Sequence, residues 1–200
     1  MKTGSEYTGM GGPCWLIQPN GRRIQGPACT DNFQICSFIF DGTAFHSVEQ
    51  AFQSLKFERG SSTSASIRLA QPRADESASA YGMRMWQSGQ SRADPLINNF
   101  EDVKVALMYV LNCAKFASNT SLQTELLSQT HDLPIDGCAS TWEWQKWNGL
   151  IHMLLRDRIQ KGADLQAEMC RDFANPSEAA KIMDQMQMLR LNHLEDGSED

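Results

Sequence analysis

Apolar positions recur with a helical period over most of this chain, and a shorter, strand-like pattern holds only near its start. From Ser47 onward Val48, Ala51, Phe52 and Leu55 fall on one helical face, while Glu49, Gln53 and Lys56 form a second, polar stripe. Ser47 followed three residues later by Gln50 has the form of a capping box and sets the helix start. Gly60 to Ser64 breaks the pattern as a loop, and helical segments are expected at about 64–70 and 76–88. The clearest helix is predicted from about Asn99 to Ala117, with Phe100, Val103, Leu107, Val110, Leu111 and Ala114 on one face. Leu122, Leu126 and Leu127 mark a short helix. Leu150, Ile151, Leu154 and Leu155 mark another over Asn148 to Gln160, ended by Gly162. Pro176 opens a terminal amphipathic helix with the stripe Ala179, Ile182, Met183, Met186 and Leu189, which docks on the core or on a protein partner.

Before Ser47 the period is that of strands. Cys14 to Gln18 and Gln34 to Phe40 read as short strands, the second carrying Ile35, Phe38, Ile39 and Phe40 and closing in an Asp41-Gly42 turn. The expected fold class is therefore α+β, a mainly helical single domain with a small N-terminal β element. Its expected limits are 13–162, followed by a C-terminal helical extension over 163–194. Residues 1–12 are rich in Gly, Ser and Thr, and 195–200 form an acidic tail, so both ends are expected to be disordered. The sequence contains no internal repeat.

Composition narrows the function classes. A chain of 200 residues with 41% hydrophobic content buries a substantial core. The formal charge of −6 provides no bulk positive field for nucleic acid or an anionic membrane. The six cysteines contain no Cys-x-x-Cys pair and the four histidines are scattered, so neither a metal site nor a disulfide framework is spelled out. No apolar run approaches the ~20 residues needed to cross a bilayer, and the start lacks the apolar core of a signal peptide. A cytoplasmic protein without metal or other cofactor is expected.

Candidate chemistry sits on the polar stripe. At spacings of four and seven, Glu49 shares a helical face with Gln53 and Lys56, placing a carboxylate, an amide and a cation together. Such a stripe is also the ordinary composition of a solvated face, and an acid in the first turn is favoured by the helix dipole.

The order of several segments resembles the NADAR (YbiA-like) family: Asn32-Phe33, then Phe40-Asp41-Gly42, then Ser47 to Phe57. The resemblance continues through Pro95-Leu96, Asn99 to Lys104, Ala114-Lys115-Phe116 and Leu122 to Thr130, and closes at Asn148 to Arg156, covering about residues 30–160. It implies an N-glycosidase that breaks a ribose–nitrogen bond in ADP-ribose-linked or riboflavin-pathway nucleotide substrates. That chemistry passes through an oxocarbenium-like state and calls for a carboxylate, an aromatic surface and donors for phosphate. By the resemblance Glu49 is the catalytic glutamate, with Asn32, Phe33, Gln53 and Lys56 binding substrate. Phe100 stands where the family has tryptophan and is either a base contact or a core residue; Asn99 beside it donates an amide or caps the helix. Ile97 occupies the position of a family arginine, so phosphate contacts fall to Lys56 and to Arg84, with Arg92 as another candidate. The family aspartate falls near Ala139 or Thr141, leaving Asp136 or Glu143 to substitute as the second carboxylate. Trp142, Trp144 and Trp147 either stack on a base or pack over a helix end. The alternative to an enzyme is a non-catalytic protein of the same fold that binds an ADP-ribose-like nucleotide or a protein partner.

Overall fold

The computed structural model describes residues 11–195, with side chains to residue 189. Of the two ends expected to be disordered, 1–12 and 195–200, residues 1–10 and 196–200 lie outside the described residues. The element order is β1 (Trp15–Ile17), β2 (Arg23–Gln25), a 3₁₀ turn (Ala28–Thr30), β3 (Phe38–Phe40), β4 (Thr43–Phe45), α1 (Val48–Leu55), α2 (Ser62–Leu69) and α3 (Ala78–Ser88). Then follow α4 (Phe100–Ser118), α5 (Thr120–Thr130), β5 (Ile135–Asp136), α6 (Trp142–Gln160), α7 (Leu165–Met169) and α8 (Pro176–Glu195). The mainly helical α+β class expected from the sequence is the one observed, and no described helix is long and apolar enough to cross a membrane.

The β structure is more divided than the pattern indicates. Of the expected strand over 34–40 only Phe38–Phe40 pairs, with Thr43–Phe45, in a two-stranded hairpin. Its two-residue turn is Asp41-Gly42, both at positive φ (46° and 68°), the conformation whose twist matches that of a tight antiparallel hairpin. A second sheet has the order β2-β1-β5 and brings Ile135 opposite Leu16 across more than a hundred residues. Strands of two or three residues leave no periodic signature, which is why β2, β4 and β5 are invisible in the sequence.

The axis of the fold is α4. Every residue from Val105 to Phe116 is buried, so the helix is enclosed on all sides rather than on the single face that its apolar stripe suggests. Around it pack α1, α5, α6, α7 and α8, together with β3. One apolar cluster runs from Cys14 through α1, α4 and α6 to Met186 on α8. Ala179, Ile182 and Met186 are fully buried in it, so the terminal stripe is used on the chain's own core. Tyr109 on α4 donates to Glu168 at 2.7 Å, and Arg171 pairs with Glu178 at 2.6 Å, tying α7 and α8 to this layer.

Helix α6 starts six residues before the expected Asn148, capped by the Thr141 hydroxyl accepting from the Trp144 N–H. All three candidate tryptophans therefore lie on the helix itself and not over its end. Gly149 is required where α6 crosses β5, because a Cβ there would sit 2.1 Å from the Ile135 carbonyl oxygen.

Candidate functional site

The Ser47 hydroxyl caps α1 by accepting from the Gln50 N–H at 3.1 Å. The Gln50 amide then donates to the carbonyls of Ile67, Arg68 and Ala70 and accepts from the His46 N–H, which locks α1 against the end of α2. Held this way, α1 is buried on every side from Val48 to Ser54. Its Glu-Gln-Lys stripe is consequently not a solvated face: Glu49, Gln53 and Lys56 are 6%, 4% and 8% exposed. Burying polar side chains is costly unless they find partners; Glu49 and Gln53 find one in each other, while Lys56 packs over the Phe57 ring. Gln53 Nε2 donates to Glu49 Oε1 at 2.7 Å, while the Glu49 N–H donates to the Asn32 carbonyl at 2.9 Å.

Glu49 and Gln53 form part of the wall of a cleft of about 100 Å³. A second carboxylate, Asp31, enters from the segment after the 3₁₀ turn, and the amides of Asn32 and Asn148 add neutral polar groups. Phe33, Phe52, Trp86 and Trp144 supply aromatic surface. Phe52 is braced by Trp144 in an edge-on pair at 5.5 Å and by Phe100 at 5.7 Å. Gly11, Gly12, Cys14, Thr30 and the 138–140 segment complete the lining.

The cleft is built by side chains fixed from distant parts of the chain. Asn112 on α4 donates to Asn32 Oδ1 at 3.1 Å, and Asn32 Nδ2 donates to Asn148 Oδ1 on α6 at 3.2 Å, a chain of amides that sets each one's orientation. Lys115, fully buried, donates to the carbonyls of Cys29 and Asp31 at 2.8 and 2.9 Å and so pins the segment that carries Asp31. Phe33 packs on α3, where a Cβ on Gly82 would come within 2.1 Å of its ring.

Electrostatically the cleft favours protonated acids. Burial pushes the Glu49 carboxyl up to about 7, opposed by the hydrogen bond from Gln53 and by the Lys56 charge. Asp31 is raised as well, again mainly by burial, against the donation of the Phe33 N–H and the charge of Lys115. Burial lowers Lys56, and the neighbouring Glu49 works the other way. Cys14 and His152 approach to 3.7 Å, yet burial raises the thiol to about 12 and lowers the imidazole to about 4. Both are neutral at pH 7, so the pair is not an activated thiolate. His152 Nδ1 donates to the Asn148 carbonyl at 2.8 Å, which holds the α6 turn beneath the cleft.

Of the candidates named from the sequence, the cleft brings together Glu49, Gln53, Asn32, Phe33 and Trp144. The others lie outside its lining. Asp136, expected as the second carboxylate, is half-exposed on β5 and paired with Arg23 at 2.6 Å, because the β1–β5 pairing turns it to the surface. Arg84 is held by Glu76 at 2.6 Å and by the Gln71 carbonyl, outside the cleft lining. Asn99 donates to the Ala174 carbonyl at 2.8 Å, and makes no side-chain cap. Phe100 is a core residue behind Phe52, Trp142 is 76% exposed, and Lys56 Nζ lies over the Phe57 ring, 5.4 Å from its centroid. Sequence reasoning missed Asp31, Asn148 and Trp86. Asp31 was legible as the acid directly preceding Asn32-Phe33, whereas Trp86 and Asn148 carry no local signal.

No protein-family model matches the sequence, and no curated protein sequence matches it. Among solved structures the chain is similar to the E. coli protein YbiA, determined by NMR, with a TM-score of 0.52 and 23% identity over 68% of this chain and 79% of YbiA. At that identity the likeness speaks for the backbone and not for the chemistry. The protein therefore has the YbiA-like α+β fold, with Glu49 buried in the wall of its cleft.

Proposed function

We propose that this protein is an N-glycosidase, hydrolysing the bond between the anomeric carbon of a ribose and a nitrogen. The observation that carries the proposal is Glu49: a buried carboxyl in a cleft wall, raised to about 7 and steadied by Gln53. A general base works best with a pKa near the working pH. As the C1′–N bond lengthens, positive charge gathers on the ribose ring, and ionised Glu49 stabilises it and takes a proton from the attacking water. Asp31 adds to the same field, the amides of Asn32 and Asn148 meet ribose hydroxyls, and Trp86 and Trp144 face the base. The resemblance of Ser47 to Phe57 to the NADAR pattern supports this reading and suggests ADP-ribose-linked or riboflavin-pathway nucleotides as starting substrates.

The test is incubation of the purified protein with a panel of N-ribosyl compounds, with chromatographic detection of free base and free sugar. Release is expected from wild type and not from Glu49→Gln; full activity in that variant removes Glu49 from the mechanism. One observation favours a second reading, a non-catalytic protein binding an ADP-ribose-like nucleotide: no carboxylate of the 136–143 segment lines the cleft. Tight calorimetric binding of ADP-ribose with no product over long incubation supports that reading.

A further inference from the structure

Breaking a ribose–nitrogen bond gathers positive charge at C1′, and a hydrogen bond given by the neighbouring 2′-hydroxyl strengthens as that charge grows. Such a cleft gains from an acceptor beside the carboxylate that serves C1′. Several polar side chains of the lining are committed to the protein itself. Thr30 Oγ1 accepts from the Cys14 N–H and donates to the Pro27 carbonyl, both at 2.8 Å. Asn32 Oδ1 accepts from Asn112, its Nδ2 donates to Asn148, and Glu49 Oε1 accepts from Gln53. Asp31 is placed differently. Its Oδ1 accepts from the Phe33 N–H at 2.8 Å, which fixes the direction of the carboxyl. A carboxylate accepts up to about four hydrogen bonds, so capacity for a ligand remains. The backbone around it is held on both sides. Lys115 donates to the Asp31 carbonyl at 2.9 Å, and the next carbonyl, that of Asn32, accepts from the Glu49 N–H at 2.9 Å. The second bond ties the segment that carries Asp31 to α1 at the very residue that bears the other carboxyl, and the two line the cleft together. Burial raises Asp31 while the Phe33 N–H and the Lys115 charge favour its ionised form, and in either form an oxygen remains an acceptor.

We infer that Asp31 accepts a hydrogen bond from the substrate's 2′-hydroxyl and makes the site selective for ribosides over 2′-deoxyribosides. The inference rests on the N-glycosidase reading of the same site and assigns Asp31 a contact within it. Glu49 serves C1′, and the bond between its N–H and the Asn32 carbonyl brings the preceding residue, Asp31, to the adjoining carbon of the sugar. The hydroxyl becomes a better donor as the ring gains charge, so the contact is worth more in the transition state than in the bound substrate. A sugar without the 2′-hydroxyl leaves the buried carboxyl unpaired, which is how a polar site rejects an analogue that lacks one hydroxyl.

The experiment takes the compound cleaved fastest by wild type in the panel of N-ribosyl compounds, with its 2′-deoxy and 3′-deoxy analogues, and measures kcat and KM for wild type and Asp31→Asn. The variant keeps the side-chain shape and the oxygen that accepts from the Phe33 N–H. Losing the Asp31 charge slows all three compounds, and the greater lability of a 2′-deoxy sugar is common to both proteins, so both effects cancel when losses are compared between compounds. The expected loss of kcat/KM is at least about tenfold greater for the riboside and its 3′-deoxy analogue than for the 2′-deoxy analogue, and falls mainly on kcat. Equal losses for riboside and 2′-deoxy analogue, or a loss that spares the 3′-deoxy analogue, overturn the inference. The N-glycosidase reading, which stands on Glu49, survives that result. If wild type cleaves no compound, the hydrolase reading fails and calorimetric titration with ADP-ribose and 2″-deoxy-ADP-ribose decides. Tighter binding of ADP-ribose that Asp31→Asn abolishes upholds the hydroxyl contact; equal binding, absent binding or a preference that the variant retains overturns it.

Discussion

The Gln53 side-chain amide donates to Glu49 Oε1 at 2.7 Å, one helical turn away, with both side chains buried. The bond stabilises the ionised carboxylate against a burial that opposes ionisation, and the balance leaves the group near neutrality. Because the donor is on the same helix as the acid, the pair is set by α1 alone; its burial is set by everything around α1.

Activity that depends on ionised Glu49 rises with pH through about 7 and levels off above it. Replacing Gln53 by Leu removes the bond that lowers the Glu49 pKa, so the rising limb moves to higher pH while the plateau above it is retained in part. A pH–rate series on the two proteins checks this, and a limb that stays in place removes Gln53 from the ionisation of Glu49.

The same group links stability to pH. Its folded pKa is raised from 4.5 to about 7, so between those values the folded state holds a proton that the unfolded chain has released. Stability from this group is complete below about pH 4.5 and is lost as pH rises through 7. At about 1.4 kcal/mol per unit, the loss is on the order of 3 kcal/mol. Glu49→Gln is therefore expected to be inactive and more stable than wild type at pH 8, with little difference at pH 4.5. Denaturant unfolding at the two pH values measures both.

Lys115 is the buried cation that positions Asp31. Lys115→Met leaves the carbonyls of Cys29 and Asp31 without their donor and is expected to destabilise by about 2–4 kcal/mol. It also removes a positive charge that favours Asp31 ionisation, so the Asp31 carboxyl titrates higher still. Thermal unfolding and carboxyl NMR titration report the two effects separately.

Two glycines hold the cleft walls by having no side chain. Gly82→Ala drives a methyl to 2.1 Å from the Phe33 ring, with an expected cost of about 1–3 kcal/mol and partial relief of the clash when Phe33 is also reduced to Ala, which removes the ring. Gly149→Ala meets the Ile135 carbonyl, a backbone atom, so no single side-chain change is expected to rescue it. Melting temperatures of Gly82→Ala and Gly149→Ala, and of the Gly82→Ala, Phe33→Ala double variant against Phe33→Ala alone, test the contrast.

The local grammar of the chain was legible throughout α1, α4 and α8. Ser47 capped its helix, the Asp41-Gly42 turn closed a hairpin, Gly162 ended α6 at a φ of 67° and Pro176 opened α8. These depend on φ restrictions and on the nearest turn of backbone, which neighbouring residues specify. The α6 start at Trp142 was not legible. Its first turn holds bulky tryptophans at no clear apolar spacing, and its regular apolar run begins only at Trp147.

The pattern of residues by itself determined the helices, the mainly helical α+β class and the alignment of Glu49, Gln53 and Lys56 on one face. Only the tertiary structure decided that this face is buried, that Asp31 and not Asp136 shares the cleft with Glu49, and that Arg84 and Lys56 stay outside it. Helical periodicity records which side chains point together, but not what they meet. Whether a polar stripe faces water or a cleft depends on the helices packed over it, here α2, α3 and α4 around α1, and on contacts such as Lys115 to Asp31 that join segments more than eighty residues apart.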